Sequence, residues 1–201
     1  MNSDKQVTVS TRWDNELVPA GKCSQRNLLI EVEAPPKPES LAPRPPINLA
    51  LVIDRSGSMG GERIDAARLA ASGIAEALSD KDRLSLVVFD EEVEALLDGC
   101  TMDERGKTQA KALINRIYPR GTTDLAAGWF TGAQCAAKWA ECSGLAEGHV
   151  LVLSDGHANR GVCDAEQLRH HTGELAERGI KTSAVGIGAN YSLLQLDALA
   201  E

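Results

Sequence analysis

From residue 47 onward, apolar runs typical of buried strands alternate with segments whose apolar residues recur at helical spacing. Residues 47–54 are almost continuously apolar, as expected for a strand that helices cover on both faces. Further strand-like runs follow at 83–89, 93–97, 149–154 and 181–188. Helical spacing marks residues 64–78, 110–117, 125–139 and 165–178. This alternation predicts an α/β fold: a Rossmann-like, doubly wound, mostly parallel central sheet flanked by helices.

The first 46 residues differ from the rest and predict an N-terminal appendage. Six of the eight prolines lie within residues 35–46, and proline fits neither a helix interior nor a strand ladder, so this stretch predicts an extended linker. Before it, residues 7–13 and 28–32 alternate between apolar and polar side chains, which predicts two strands. Residues 1–34 are too few for an independent core, so we expect them to pack on the main domain or on a partner. The main domain is then 47–201.

The composition excludes several classes of function. A net charge of −8 excludes a general nucleic-acid binder and an anionic-membrane binder, since both need basic surface. No apolar run approaches the roughly 20 residues of a membrane-spanning helix, and the first residues do not resemble a secretory signal. The five cysteines are scattered without a Cys-x-x-Cys pair, so we expect reduced thiols and a cytoplasmic location.

Polar side chains follow two of the predicted strands and precede one of the predicted helices. Asp54, Ser56 and Ser58 come directly after the first strand of the main domain, and Asp155 follows the strand at 149–154. The run from Gly121 to Asp124, with Thr122 and Thr123, precedes the helix at 125–139. Ligands of open parallel sheets bind outside the carboxyl ends of the strands. We therefore expect Asp54, Ser56, Ser58, one of the two threonines, and Asp155 to meet at one edge.

These side chains offer only oxygen donors and carry two negative charges. Such a set suits a hard divalent cation, Mg²⁺ first, with Mn²⁺ and Ca²⁺ as alternatives. The alternative for each motif taken alone is structural, with the aspartates capping helices and the serines forming turns.

These motifs together resemble a known family. Residues 48–201 look like a von Willebrand factor type A domain. The Asp-x-Ser-Gly-Ser pattern at 54–58 matches the family's signature for its metal-ion-dependent adhesion site. The match at 121–124 places Thr123 at the ligand threonine, and Thr122 stands where the family usually has glycine or serine. The match at 154–156 places Asp155 at the last ligand.

The resemblance implies a partner as well as a fold. A Glu or Asp of a protein partner would complete the coordination of the ion, and partners of bacterial members include AAA+ ATPases, other assembly subunits and surface ligands. The family's last strand would follow a helix like the one beginning at Leu193, and it is absent from this sequence. We therefore expect a fragment of a longer chain, a variant without that strand, or a helix that simply ends the protein.

Five residues beside the predicted ligands are candidates for partner contact: Arg55, Met59, Thr122, Asp124 and His157. For Arg55 and His157 the alternative is a solvated surface side chain, and Met59, like Leu125, either forms an apolar rim or packs under the loop. The acidic run at 90–92 is interpreted as solvated surface.

The sequence thus predicts a non-enzymatic, cation-dependent protein-interaction module within a larger assembly. Two alternatives remain: a metal-dependent hydrolase with His157 or Asp124 as base, and a purely structural domain. No Gly-x-Ser-x-Gly elbow and no phosphate-binding P-loop is present to support other chemistry.

Overall fold

The structure is a computed structural model that describes residues 8–13, 27–33, 44–144 and 147–200. The chain divides into two units, Met1–Arg44 and Pro45–Glu201. In the first unit, β1 (Thr8–Trp13) pairs antiparallel with β2 (Leu28–Glu33). Both predicted N-terminal strands are therefore present. Most of the predicted linker, residues 35–43, lies outside the described residues, and the packing of 1–34 on the main domain or a partner stays a prediction.

Strands of the second unit form one five-stranded sheet among the residues that the structure describes. They are β3 (Asn48–Asp54), β4 (Arg83–Phe89), β5 (Val93–Thr101), β6 (Gly148–Ser154) and β7 (Ile180–Gly186). Their order across the sheet is β5-β4-β3-β6-β7. Only β5 runs antiparallel, because three residues connect it to β4 and so short a connection permits only a hairpin. The mostly parallel α/β sheet is confirmed, and β5 is longer than the predicted 93–97.

Helices cover both faces of this sheet. They are α1 (Glu62–Ala77), α2 (Glu104–Ile114), α3 (Leu125–Ser143), α4 (Ala165–Glu177) and α5 (Leu193–Leu199), with a short 3-10 helix at Gly57–Met59. Helix α2 begins earlier than the predicted residue 110, because the Asp103 carboxylate accepts a hydrogen bond from the Gly106 amide and caps it. None of the described helices has the length and apolarity to cross a membrane.

The core consists of two layers because side chains of a strand alternate between faces. Along β3, Leu51 and Ile53 belong to the layer covered by α1 and α2, whereas Ala50 and Val52 face the layer of α3, α4 and α5. Trp129 of α3 is fully buried in the second layer, where its indole N–H donates to the Thr182 hydroxyl at 3.1 Å. Both faces of β3 are therefore closed to solvent, as its apolar run predicts.

The topology fixes where a ligand site can lie. The chain proceeds from β3 to β4 on one side of the sheet and later places β6 on the other side of β3. The carboxyl ends of β3 and β6 therefore flank the position where the winding direction reverses, which is where open α/β sheets bind ligands. Asp54 ends β3 and Asp155 directly follows β6, so both lie at this position.

The contact between α3 and the sheet gives a first testable prediction. A Cβ atom on Gly132 of α3 would come within 2.4 Å of the Val52 side chain, whereas a Cβ on Gly73 of α1 would meet nothing within 4 Å. We expect Gly132→Ala to lower the free energy of unfolding by about 1–3 kcal/mol through overpacking. Gly73→Ala is the matched control and should raise it by about 0.5–1 kcal/mol through helix propensity. Urea unfolding of the two variants measures both changes, and stabilisation by Gly132→Ala would contradict this packing.

Candidate functional site

The Asp54 carboxylate is the buried centre of the site. Its side chain has no solvent exposure. One oxygen accepts the Ser56 amide at 2.8 Å and the other accepts the Ser154 hydroxyl at 2.5 Å. Burial raises the pKa of Asp54 to about 6, against the hydrogen bonds from Ser154 and Ser56, and the nearby charge of Asp155 adds to the rise. The carboxylate therefore lies where a neutralising positive charge would stabilise its ionised form.

The two predicted serines lie side by side in the loop after β3. Their Oγ atoms are 3.1 Å apart, with Ser56 buried and Ser58 exposed. Between them, the Gly57 amide donates to the Gly121 carbonyl at 3.0 Å. A Cβ on Gly57 would lie only 3.2 Å from that oxygen, so glycine permits the close approach of the two loops.

Thr123 enters the site from the loop that precedes α3, and backbone contacts fix it there. Its amide donates to the Asn159 side chain at 3.0 Å. Its carbonyl accepts the amides of Asn159 and Arg160, both at 3.2 Å. Because these partners belong to the loop after β6, the threonine loop is tied both to that loop and, through Gly121, to the serine loop.

Asp155 closes the site from the end of β6, and its side chain is fully buried. One oxygen accepts the His157 amide at 3.2 Å, and the other accepts the Arg63 guanidinium at 3.0 Å. The same nitrogen of Arg63 donates to the Ser58 carbonyl at 2.9 Å. Asp155 is therefore linked to the serine loop through a side chain of α1.

These contacts bring the three loops with all five predicted ligands together at one edge of the sheet: Asp54, Ser56, Ser58, Thr123 and Asp155. Within the described ranges no cluster of three or more His, Cys, Asp or Glu side chains is arranged to hold a metal. A cation at this edge would therefore depend on hydroxyl as well as carboxylate oxygens, and oxygen-only donors suit Mg²⁺, Mn²⁺ and Ca²⁺.

Arg55 does not face a partner, so this prediction is wrong, as is the alternative of a solvated side chain. Arg55 is buried, and its guanidinium donates to Asp90 at 3.0 Å and pairs with Glu94 at 3.2 Å. Asp90 is itself fully buried and also accepts from Arg120 at 2.6 Å, which corrects its interpretation as solvated surface, whereas Glu91 and Glu92 are exposed as expected. The Glu91 carboxylate accepts the Thr122 amide at 2.9 Å. This acidic run therefore holds the serine and threonine loops in place.

Burial by itself raises the pKa of Asp90, but three groups outweigh it. The Glu92 amide and the guanidinium groups of Arg120 and Arg55 favour the ionised carboxylate, so its pKa lies below the ordinary value. The ion pair of Asp90 is thus a stabilising contact directly beneath the site.

Met59 is fully buried in the layer of α1 and α2, and Leu125 is buried in the layer of α3. Of the two alternatives, packing under the loops is therefore confirmed for both residues, and the exposed apolar rim, with the partner contact predicted for Met59, is wrong.

The other three partner candidates have defined positions. Thr122 is exposed, and its amide and hydroxyl both donate to Glu91. Asp124 caps α3 by accepting the Ala127 amide at 3.0 Å. His157 is exposed, with Nε2 at 2.7 Å from the Asn190 carbonyl. Since a carbonyl only accepts, Nε2 carries the proton in this contact.

Sequence reasoning missed several residues that build the site. Asp90 and Glu91 follow β4, so the rule that placed Asp54 and Asp155 at the carboxyl edge applies to them as well. Arg63 lies in the first turn of α1 and Asn159 in a loop, and no spacing in the sequence indicates their partners.

A comparison with models of protein families shows to which family the chain belongs. The model of the von Willebrand factor type A domain matches residues 48–201, more than half of the chain. The chain belongs to the von Willebrand factor type A family.

Curated relatives are longer than this von Willebrand factor type A chain. Uncharacterized protein sll0103 of Synechocystis is 31% identical over 187 residues, which are 93% of this chain and 42% of the relative. YfbK of Escherichia coli is 27% identical over 201 residues, which are 99% of this chain and 34% of the relative. Human inter-alpha-trypsin inhibitor heavy chain H3 is 27% identical over 160 residues, which are 77% of this chain and 18% of the relative.

Solved structures share the von Willebrand factor type A fold. A von Willebrand factor type A protein from Catenulispora acidiphila aligns with a TM-score of 0.63 at 19% identity, covering 100% of this chain and 45% of that one. Manganese-loaded TRAP protein of Plasmodium vivax aligns with a TM-score of 0.61 at 16% identity, covering 96% and 66%. At these identities the likeness shows the fold.

The ion pair of Asp90 gives a second testable prediction. We expect Asp90→Asn to lower the free energy of unfolding by on the order of 3 kcal/mol, because Arg55 loses its buried counter-charge and keeps only the exposed Glu94. Glu94→Gln is the matched control: it removes the other charge on Arg55, but Glu94 is 57% exposed, so we expect a loss of about 0–1 kcal/mol.

The pH dependence of the stability of the same variant tests whether Asp90 stabilises the fold in its ionised form. Because the pKa of Asp90 is lowered in the folded state, its contribution is fully present above the unfolded-state pKa of about 4. It is lost as the pH falls through the folded-state pKa. Stability of the wild type should therefore fall more steeply on acidification below about pH 5 than that of Asp90→Asn. Denaturant titrations in which the free energies of unfolding of the two proteins fall in parallel with pH would contradict this role.

Proposed function

We propose that the protein is a divalent-cation-dependent protein-interaction module. Asp54, Ser56, Ser58, Thr123 and Asp155 would hold Mg²⁺ directly or through water, as the family's metal-ion-dependent adhesion site does. The observation that carries the proposal is the convergence of three loops with oxygen donors around a buried, unneutralised Asp54 carboxylate.

The residues fit such an ion by their chemistry. Asp54 and Asp155 supply two negative charges, enough to balance a divalent cation, and both carboxylates are fully buried. Hydrogen bonds from Ser56 and Ser154 orient the Asp54 oxygens, so the carboxylate does not need to reorganise. Mn²⁺, the metal named for Plasmodium vivax TRAP protein, is one of the alternatives to Mg²⁺.

The arrangement leaves one side of the site accessible to another molecule. Ser58 and His157 are exposed, whereas Asp54, Thr123 and Asp155 are buried beneath them. When bound, a divalent cation supplies a positive centre that an outside carboxylate can join. We therefore propose that a protein partner contributes an Asp or Glu side chain, with Thr122 and His157 beside it.

The identity of the partner stays open to experiment. An AAA+ ATPase or another assembly subunit is the hypothesis that the family resemblance suggests. The segments matched by this chain are only 42%, 34% and 18% of the curated relatives, so the partners of a whole protein are part of the proposal. The cytoplasmic location also stays a prediction.

We further propose that the module acts without catalysis. Asp124, one candidate base for a hydrolase, is engaged as the cap of α3, and the Nε2 proton of His157 is donated to the Asn190 carbonyl. No observation on the described residues favours the hydrolase.

The third testable prediction concerns the metal. We expect isothermal titration calorimetry to show one Mg²⁺ site in the wild type and no measurable binding by Asp54→Asn, because the buried carboxylate supplies half of the balancing charge. Asp65→Asn is the matched control: it removes the same charge from an exposed position on α1 and should bind like the wild type. Equal Mg²⁺ binding by all three proteins would contradict the proposed site.

The same variants test the partner. A partner recovered from the source cell should bind the wild type and Asp65→Asn in the presence of Mg²⁺. It should not bind either protein in EDTA, and it should not bind Asp54→Asn. Substituting the partner's contacting Asp or Glu by Asn or Gln should then abolish binding. A partner that stays bound in EDTA would contradict cation dependence.

The fourth testable prediction separates the two threonines. Thr123→Val removes a buried hydroxyl that is proposed to face the ion, and should weaken Mg²⁺ binding by about tenfold or more, within the range known for metal-site partners. Thr122→Val removes an exposed hydroxyl that donates to Glu91, and should leave Mg²⁺ affinity within about twofold. Calorimetry measures both, and the reverse order would show that the wrong threonine was assigned.

A further inference from the structure

Arg63 lies between two of the proposed ligand loops. Its Nη1 atom donates to the Asp155 carboxylate at 3.0 Å and to the Ser58 carbonyl at 2.9 Å. The Asp155 side chain is fully buried, whereas that of Arg63 is 31% exposed. A positive side chain of this protein thus reaches from the rim of the site to a carboxylate that is proposed to bind a cation.

The surroundings of Arg63 are shaped to hold it in this position. Gly188, just after β7, has a φ of +90°, and a Cβ atom there would lie 2.9 Å from Arg63 Nε. A side chain at position 188 would therefore be both strained and in the way of the guanidinium. Helix α1, the serine loop and the segment after β7 meet around this one side chain.

Electrostatics makes Arg63 and a bound divalent cation competitors. Arg63 neutralises one Asp155 oxygen, and the other oxygen accepts the His157 amide at 3.2 Å. A cation that approaches Asp155 would meet an existing positive charge within a few ångströms, and like charges at that distance in a partly buried site repel strongly. Without any counter-ion, however, two buried carboxylates would face each other, which is also unfavourable.

We propose that Arg63 is a built-in counter-ion that neutralises Asp155 while the site lacks its cation and that gives up this contact when a divalent cation binds. This inference rests on the proposed function of the same site. It makes Arg63 a residue that sets the affinity for the cation: it keeps the cation-free protein stable, and it weakens binding by the free energy needed to displace it. Because Arg63 also holds the Ser58 carbonyl, its release would free the exposed end of the serine loop.

The fifth testable prediction compares Arg63→Gln with the wild type by calorimetry. We expect Arg63→Gln to bind Mg²⁺ about five- to tenfold more tightly, the size expected for one unit charge a few ångströms away in a partly solvated site. Arg105→Gln, which removes the same charge from an exposed position on α2, is the matched control and should bind like the wild type. Arg63→Lys keeps the charge and should stay within about twofold of the wild type.

Two measurements keep the inference testable if Arg63→Gln folds poorly. In EDTA, Arg63→Gln should melt at a lower temperature than the wild type, and Mg²⁺ should raise its Tm by more than it raises that of the wild type. In the NMR spectrum of the wild type, the side-chain N–H signal of Arg63 should shift on titration with Mg²⁺. Its loss in Arg63→Lys assigns this signal. An Arg63 signal that does not respond while Mg²⁺ binds would overturn the displacement.

The outcomes separate this inference from the proposed function. If the wild type binds Mg²⁺ and Arg63→Gln binds equally or more weakly, Arg63 is only a structural contact and the inference fails alone. If neither protein binds Mg²⁺ or Mn²⁺, the proposed function and the inference both fail. Binding by Arg63→Gln at concentrations where the wild type shows none would support the inference in its strongest form.

Discussion

A buried carboxylate at the reversal point of the sheet is the constraint on which the rest of the site depends. Asp54 ends a strand that is covered on both faces, so its side chain cannot reach solvent. Burying an isolated ionised carboxylate is energetically unfavourable, and hydrogen bonds from Ser56 and Ser154 offset only part of this free energy. The part that they do not offset raises the pKa of Asp54. A cation beside this carboxylate would satisfy it and the neighbouring Asp155 together.

The surrounding charges are arranged in two tiers. Below the ligand loops, the ion pair of Arg55 with Asp90 joins the serine loop to β4, and Arg120 joins the threonine loop to the same carboxylate. Beside the loops, Arg63 pairs with Asp155. In the first tier Arg55 and Asp90 are buried, whereas Arg120 is partly exposed, as Arg63 is. On our account, the buried pair of Arg55 and Asp90 is a positioning contact, whereas Arg63 is a replaceable counter-ion because it pairs directly with a proposed ligand of the cation.

The sequence predicted the fold well because burial leaves a simple pattern. The apolar run ending at Asp54 indicates a strand covered on both faces, and the helical spacing between the strands indicates crossovers of a parallel sheet. Convergence of Asp54 with Asp155 followed from topology alone, since both lie at carboxyl ends of strands. The antiparallel continuation of β5 to Thr101 depends on register and hairpin geometry, which the alternation of apolar residues does not fix.

The residues that sequence reasoning misplaced are those whose environment is set by distant parts of the chain. Arg55 is charged and follows a strand, so exposure was the natural expectation, but Asp90, thirty-five positions away, pairs with it in the interior. Met59 was expected either at a rim beside the ion or packed under the loop, and it fills the core layer of α1 and α2. Arg63 and Asn159 carry no local signal, because their roles exist only once the loops meet.

Anomalous diffraction from crystals grown in Mn²⁺ tests the central claim most directly, because it locates the ion without reference to any activity or partner. The account predicts one strong anomalous peak enclosed by Asp54, Ser56, Ser58, Thr123 and Asp155, with oxygen ligands at about 2.0–2.4 Å or water between them. A site that shows no peak at saturating Mn²⁺, with its five side chains ordered, would contradict it.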